Sequence, residues 1–140
     1  EYREIPQPIP PQFQDEDGVA LVEYVQFETN KSIIRSSEVG KIMRVVQYLH
    51  EHPQAHVELT GFADKLTGNA TINQRLSVER AHAVSQFLTD HGIRSDRISR
   101  YAKGDRVQPF QVNEDNRVTI CIVIDEGLTE EVQQLRESIK

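Results

Sequence analysis

The chain has 140 residues, enough for one domain with one core, and its 37% hydrophobic and 27% charged content is ordinary for a globular domain, which excludes wholesale disorder. A formal net charge of -6 argues against nucleic acid or an anionic membrane surface as partner, since both need a basic face. No apolar run approaches the roughly 20 residues that span a bilayer as a helix, and a single cysteine, Cys121, excludes an internal disulfide framework.

The chain begins at Glu1 with no visible signal peptide, which reads as a mature product or an excised fragment. The first dozen residues, EYREIPQPIPPQ, hold four of the six prolines. That composition favours extended polyproline conformations, so residues 1–18 are expected to form a linker or arm. Residues 19–27, VALVEYVQF, read as a first strand, in which Val25 and Phe27 alternate with Gln26. After a polar turn, Ser36 or Ser37 can cap a helix with Glu38 in its first turn. Val39, Ile42, Met43, Val46 and Leu49 share one face of this helix, and Pro53 ends it. Gly40 inside it costs about 1 kcal/mol against Ala, which suggests close packing at that point.

Residues 56–62, HVELTGF, alternate as a second strand with Val57 and Leu59 inward. A long polar loop follows, and Asn73 is expected to open a second helix. Leu76, Ala83 and Phe87 form one stripe of it, with Ala81, Val84 and Leu88 beside them. It ends near His91-Gly92, where glycine suits the left-handed position. Residues 97–102 read as a short third strand and 103–115 as a loop containing Gly104 and Pro109. Residues 117–124 read as a fourth strand, apolar on both faces and therefore central. Cys121 lies in this run and reads as a buried packing thiol. Leu128, Val132, Leu135 and Ile139 recur at four, three and four, which predicts a helix over 127–140, most simply docked on its own domain. The domain proper is expected over 19–126. The order β-α-β-α-β-β predicts an α+β two-layer sandwich with a mixed sheet, helices on one face and parallel pairing through the crossovers.

The stretch 61–81, GFADKLTGNATINQRLSVERA, carries the chemistry. Asn73, Ser77 and Arg80 stand four and three apart, so they share one helical face. Asp64 sits just past the carboxyl end of the second strand, and only the intervening loop separates that end from the helix. An acid and a base can thus meet at one mouth, beside free helix N–H groups that favour a carboxylate. Such a mouth suits a zwitterion. On geometry alone, an ordinary surface ion pair is the simpler reading of Asp64 and Arg80.

The same stretch resembles the signature of the OmpA-like peptidoglycan-binding domains, roughly G-[HY]-[TA]-D, a Gly-containing loop, an Asn, then L-S-x-x-R-A. The matching pieces are Gly61-Phe62-Ala63-Asp64, Gly68, Asn73, Leu76-Ser77 and Arg80-Ala81. Val25-Gln26-Phe27-Glu28-Thr29-Asn30-Lys31-Ser32 resembles the first strand of that family and its following loop. His91-Gly92-Ile93 with Arg97-Ile98, Lys103-Gly104-Asp105 with Gln108-Pro109, and Asn116-Arg117-Val118 resemble later elements. The ordered combination covers about 20–125. The resemblance implies a non-catalytic module, without a cofactor, that grips the meso-diaminopimelate of peptidoglycan stem peptides. It assigns the ligand ammonium to Asp64 and the carboxylate to Arg80, with support from Asn73, Thr29 and Asn30 and with Arg117 bordering the pocket. It further implies a periplasmic domain joined to an outer-membrane segment outside this sequence, and leaves room for a homo-oligomer.

Departures from the pattern are visible. Phe62-Ala63 replaces the common His-Thr, removing a hydroxyl near the ligand. The loop between Asp64 and Asn73 is one residue longer than usual, and Glu79 and Asn116 stand where arginines are common. The flagellar-stator wall-binding domain is an alternative within the same fold. A wall amidase or peptidase is disfavoured, since neither a metal triad nor an activated nucleophile is visible. His50, His52 and His56 in HEHPQAH do not match H-E-x-x-H, and Pro53 interrupts any helix there. Asn30-Lys31-Ser32 and Asn69-Ala70-Thr71 match the glycosylation pattern only formally, because the pocket needs both bare.

Overall fold

The computed structural model describes residues 18–125 together with Ser138. The proline arm expected over 1–18 and the helix expected over 127–140 lie, but for Gly18 and Ser138, outside the described residues. The regular elements are β1 (Val19–Gln26), α1 (Val39–Glu51), β2 (His56–Gly61), α2 (Ala70–Asp90), β3 (Ile98–Ala102) and β4 (Val118–Ile124). Single 3-10 turns precede α1, β3 and β4.

The strands form one sheet in the order β1-β4-β2-β3. β2 and β3 pair in parallel, from Val57 opposite Ile98 to Gly61 opposite Ala102. β4 enters between β1 and β2 and runs antiparallel to both. The expected parallel pairing therefore holds across α2 only. β1 and β2 point the same way but never touch, because the last strand occupies the slot between them. Its apolar character on both faces follows from that slot: β4 is buried from Val118 to Val123.

Both helices cover one face. Ile42, Val45, Val46 and Leu49 of α1 and Val84 and Leu88 of α2 pack on Val25, Val57, Leu59, Cys121 and Val123 of the sheet. Burial pushes the Cys121 thiol far up, as suits a packing residue. The opposite face gathers Val22, Tyr24, Phe62, Val118, Ile120 and Ile122, with Phe110 meeting Tyr24 edge-on at 5.3 Å.

The buried face of α1 differs from the sequence reading at two positions. Val45 is buried and Met43 is exposed, because the face is centred between Val45 and Val46. Gly40 does not sit in close packing either: a Cβ built there meets nothing within 4 Å. Neither serine caps the helix. The chain enters through a 3-10 turn, and Glu38 is buried, accepting from the Gln26 amide at 2.7 Å and from Lys41 Nζ at 2.9 Å. Lys41 also donates to the Tyr24 carbonyl at 2.8 Å. This half-buried pair thereby satisfies backbone groups on the outer edge of β1 that no strand reaches. At the other end of α1, Arg97 donates to the carbonyls of Leu49, His52 and Ala55, closing the helix over the start of β2.

α2 starts three residues before Asn73. Asn69 is the N-cap, its side chain accepting from the Ile72 amide at 2.9 Å. At the C-terminus Gly92 takes φ +89°, and the amides of Gly92 and Ile93 donate to Thr89 and Leu88.

Candidate functional site

The mouth forms where β2 ends, α2 begins and the 103–116 loop crosses between them. The crossing is tight. A Cβ on Gly61 would lie 1.9 Å from the Ser77 carbonyl oxygen, so only glycine lets α2 approach β2 this closely. Ser77 pins the loop from the same turn of helix, its hydroxyl accepting from the Gly104 amide at 2.9 Å. Ala63 donates to the Gly104 carbonyl, which leaves Asp64 as the next residue in line.

Asp64 is 2% exposed and held from several directions. Thr67 donates through its hydroxyl at 2.7 Å and its amide at 3.1 Å, Asn113 through Nδ2 at 3.0 Å, and Arg117 through Nε at 3.0 Å. Burial alone would raise its pKa. The bonds from Thr67, Asn113 and Arg117 outweigh that and hold the carboxyl below its ordinary value. The group is a fixed anion at neutral pH.

Asn73 is buried beneath the loop. Its Nδ2 donates to the Thr67 carbonyl and to Asp105 Oδ2, both at 2.9 Å. Its Oδ1 has no hydrogen-bond partner and faces Gly68, where φ is +70° and a Cβ would come within 2.6 Å of that oxygen. Asn73 thus shapes the 64–69 loop that presents Asp64.

Arg80 lies deeper than expected, with 0% exposure. Its Nε donates to the Lys31 carbonyl at 2.9 Å, Nη1 to Phe62 at 3.0 Å and Nη2 to Glu28 at 3.2 Å. The guanidinium also lies over the Phe27 ring, 5.5 Å from its centroid. Burial pushes Arg80 down to about 10, with Asp64 and Glu79 opposing and Arg117 adding to the fall, so it keeps its charge at neutral pH. Glu28 and Lys31 close a turn around Thr29 and Asn30, in which Asn30 has φ +58°. Arg80 therefore hangs that exposed turn on α2. Asp64 pairs instead with Arg117, 53 residues further along the chain. Asp64, Asn73 and Arg117 meet around the 64–69 loop, and Arg80 joins the turn of Thr29 and Asn30; the acid–base contact, largely buried, belongs to Asp64 and Arg117.

Thr67 and Asn113 were not anticipated. Thr67 stands three residues after the aspartate and brings a hydroxyl to it, in place of the one missing at Ala63. The departures at Phe62 and Asn116 are structural: Phe62 packs into the second core cluster, and Asn116 bridges the amide and carbonyl of Phe110 at 2.9 and 3.0 Å. The histidines of HEHPQAH diverge. His50 bonds the His91 carbonyl, while His52 bonds the Tyr48 carbonyl and stacks on that ring at 3.9 Å.

Comparison with known proteins matches residues 26–119 to the OmpA family. The chain belongs to the OmpA family. This OmpA-family domain is 30% identical over 102 residues to outer membrane protein 40 of Porphyromonas gingivalis, covering 73% of the chain and 27% of that protein. It is 31% identical over 97 residues to outer membrane protein A of Buchnera aphidicola subsp. Schizaphis graminum, covering 68% and 28%. The chain thus spans under a third of the length of these relatives. Among solved structures, the OmpA-like domain of FopA1 from Francisella tularensis superposes with a TM-score of 0.70 at 18% identity, over 89% of this chain and 92% of that one. The peptidoglycan-associated lipoprotein of Burkholderia pseudomallei gives 0.67 at 22% identity, over 71% and 88%. The C-terminal domain of Helicobacter pylori MotB gives 0.64 at 20%, over 83% and 95%. These likenesses establish a shared α+β fold.

Proposed function

We propose that this domain is a non-catalytic module that binds peptidoglycan in the periplasm through the meso-diaminopimelate of its stem peptides, and so ties an outer-membrane protein to the cell wall. The observation that carries the reading is the Asp64 carboxylate, kept ionised and held in place by Thr67, Asn113 and Arg117 at the mouth of the fold. A fixed anion beside a guanidinium suits an ammonium and a carboxylate presented together. In this reading Asp64 takes the ammonium. Asn73 fixes the loop that carries Asp64, and Thr29 and Asn30 form a facing wall. Arg80 holds that wall and adds positive charge behind it, which favours the ligand carboxylate.

The family match and the outer-membrane relatives support the envelope setting. A flagellar-stator wall-binding domain stays the second reading, and the likeness to MotB supports it only at the level of a shared fold. The amidase or peptidase reading gains nothing from the family match. Titration with free meso-diaminopimelate, followed by backbone NMR, tests the site. Shifts are expected at Asp64, Thr67, Asn113 and Arg117. Shifts that avoid all four, or hydrolysis of added muropeptides, would overturn the proposal.

A further inference from the structure

We propose that the sheet face opposite the two helices is the docking surface for this chain's own 127–140 segment, which returns over β4 as a third helix and closes a second core.

The need for a cover shows in the burial. α1 and α2 both lie on the other face. Yet Val22 and Ile122 are only 7% and 6% exposed, and Tyr24 and Ile120 only 4% and 2%. Among the described residues, the side chains that reach this cluster from outside β1 and β4 are Phe62 and Phe110. Both rings sit toward the Val118 end of β4: the Phe62 amide donates to the Val118 carbonyl, and Phe110 meets Tyr24, which stands opposite Ile120. Val22 and Ile122 face each other one same-face pair further along the ladder. An apolar sheet face stays this dry beyond the two rings only under another layer.

Three features point to the occupant. The first is the exit of the chain. Ile124 packs against the cluster, and Asp125 is fixed just beyond it: its amide donates to the Gly18 carbonyl at 2.8 Å, and its carboxylate accepts from Tyr48 Oη at 2.7 Å and Gln54 Nε2 at 2.9 Å. The chain therefore leaves β4 at the end away from the two rings, and Gly127 follows to turn it back. The second is length. The stripe from Leu128 to Ile139 is about 16 Å long as a helix. Ile124, Ile122, Ile120 and Val118 span about 20 Å on one face of β4. Run antiparallel to β4, the stripe sets Leu128 near Ile124, Val132 near Ile122 and Leu135 near Ile120, and leaves the Val118 end to Phe62 and Phe110. The third is Ser138, which is helical and exposed, as a residue beside the buried stripe should be. The outer side of α1 is a poorer dock for an apolar stripe, since Arg44, Gln47, His50 and Glu51 surround Met43 there.

The test is NMR on the whole chain with labelled methyl groups of Ile, Leu, Val and Met. Nuclear Overhauser contacts are expected from Val132 and Leu135 to Val22, Ile120 and Ile122, unchanged on dilution. Leu135→Asp should shift the methyl signals of Ile120 and Ile122 and leave those of Val45 and Leu88, beneath α1 and α2, in place. Glu137→Gln, on the opposite side of the helix, should shift none of them. Contacts from Val132 and Leu135 to Met43 would put the helix on α1, contacts from Ile5 or Ile9 to Ile122 would put the N-terminal arm on the sheet, and contacts found between differently labelled copies would put a second molecule there. Each of these results would overturn the proposal. So would the absence of any long-range contact from Val132 and Leu135, or signals of Ile120 and Ile122 that ignore Leu135→Asp.

Discussion

Asp64 and Arg80 stand 16 positions apart in the sequence, yet they do different work. Arg80 is an interior brace whose nitrogens satisfy three loop carbonyls. Asp64 is a buried anion just past β2, stabilised by Thr67 of its own loop and by Asn113 and Arg117 of the connection between β3 and β4. Its charged form is favoured by folding, so its contribution to stability is fully present above the ordinary carboxylate pKa of about 3.9 and is lost as pH falls through the lower folded value. The native chain should exceed Asp64→Asn in stability by a constant margin from neutral pH down to about 5, and that margin should close below about 4. Urea denaturation at a series of pH values measures it; a margin that already shrinks between neutrality and 5 would show that the folded pKa is not depressed. The importance of Asp64 was legible because an acid just past a strand end is a local feature. The resemblance placed Arg117 at the border of the pocket, but its pairing with Asp64 was not legible, since it comes from 53 residues away and no spacing rule links them. Arg80 was found through its helical face, but the polar face it shares with Asn73 and Ser77 turned out to be an inward one.

Element by element, β1 and β2 were readable from apolar alternation and both helices from apolar recurrence, but the buried line of α2 runs through Leu76, Ala81, Val84 and Leu88, not through Ala83 and Phe87. The start of α2 was not readable, because Ala70 and Thr71 are exposed and carry no apolar signal ahead of Asn73. The position of β4 was half legible. Apolar residues on both faces declare a central strand, but not which neighbours it separates. Two glycines allow the packing of the elements to be tested against each other. Gly61→Ala places a methyl group on the Ser77 carbonyl and must push α2 off β2, at a cost of about 3 kcal/mol or more. Gly40→Ala meets open space on the outer face of α1 and should stabilise the domain by about 0.5–1 kcal/mol. Thermal and urea unfolding of both variants check the pair. Equal effects, or a destabilising Gly40→Ala, would contradict the contrast between the tight β2–α2 crossing and the open outer side of α1.

At the scale of the whole molecule, a mouth built from one acid and one guanidinium implies weak binding to a single small ligand, since each charge-assisted bond contributes roughly 1.5–3 kcal/mol. A wall polymer repeats its ligand many times, and a tethered domain meets those copies at high effective concentration, so weak contacts suffice for attachment. The net charge of -6 makes non-specific adhesion to an acidic polymer unfavourable, which leaves the specific pocket to supply the attraction. The most direct test is co-sedimentation with purified diaminopimelate-type sacculi, comparing the native chain, the native chain with excess free meso-diaminopimelate, and Asp64→Ala shown to be folded by circular dichroism. The account predicts that the native chain pellets, that free diaminopimelate releases it, and that folded Asp64→Ala stays in solution. Folded Asp64→Ala pelleting as fully as the native chain would contradict it.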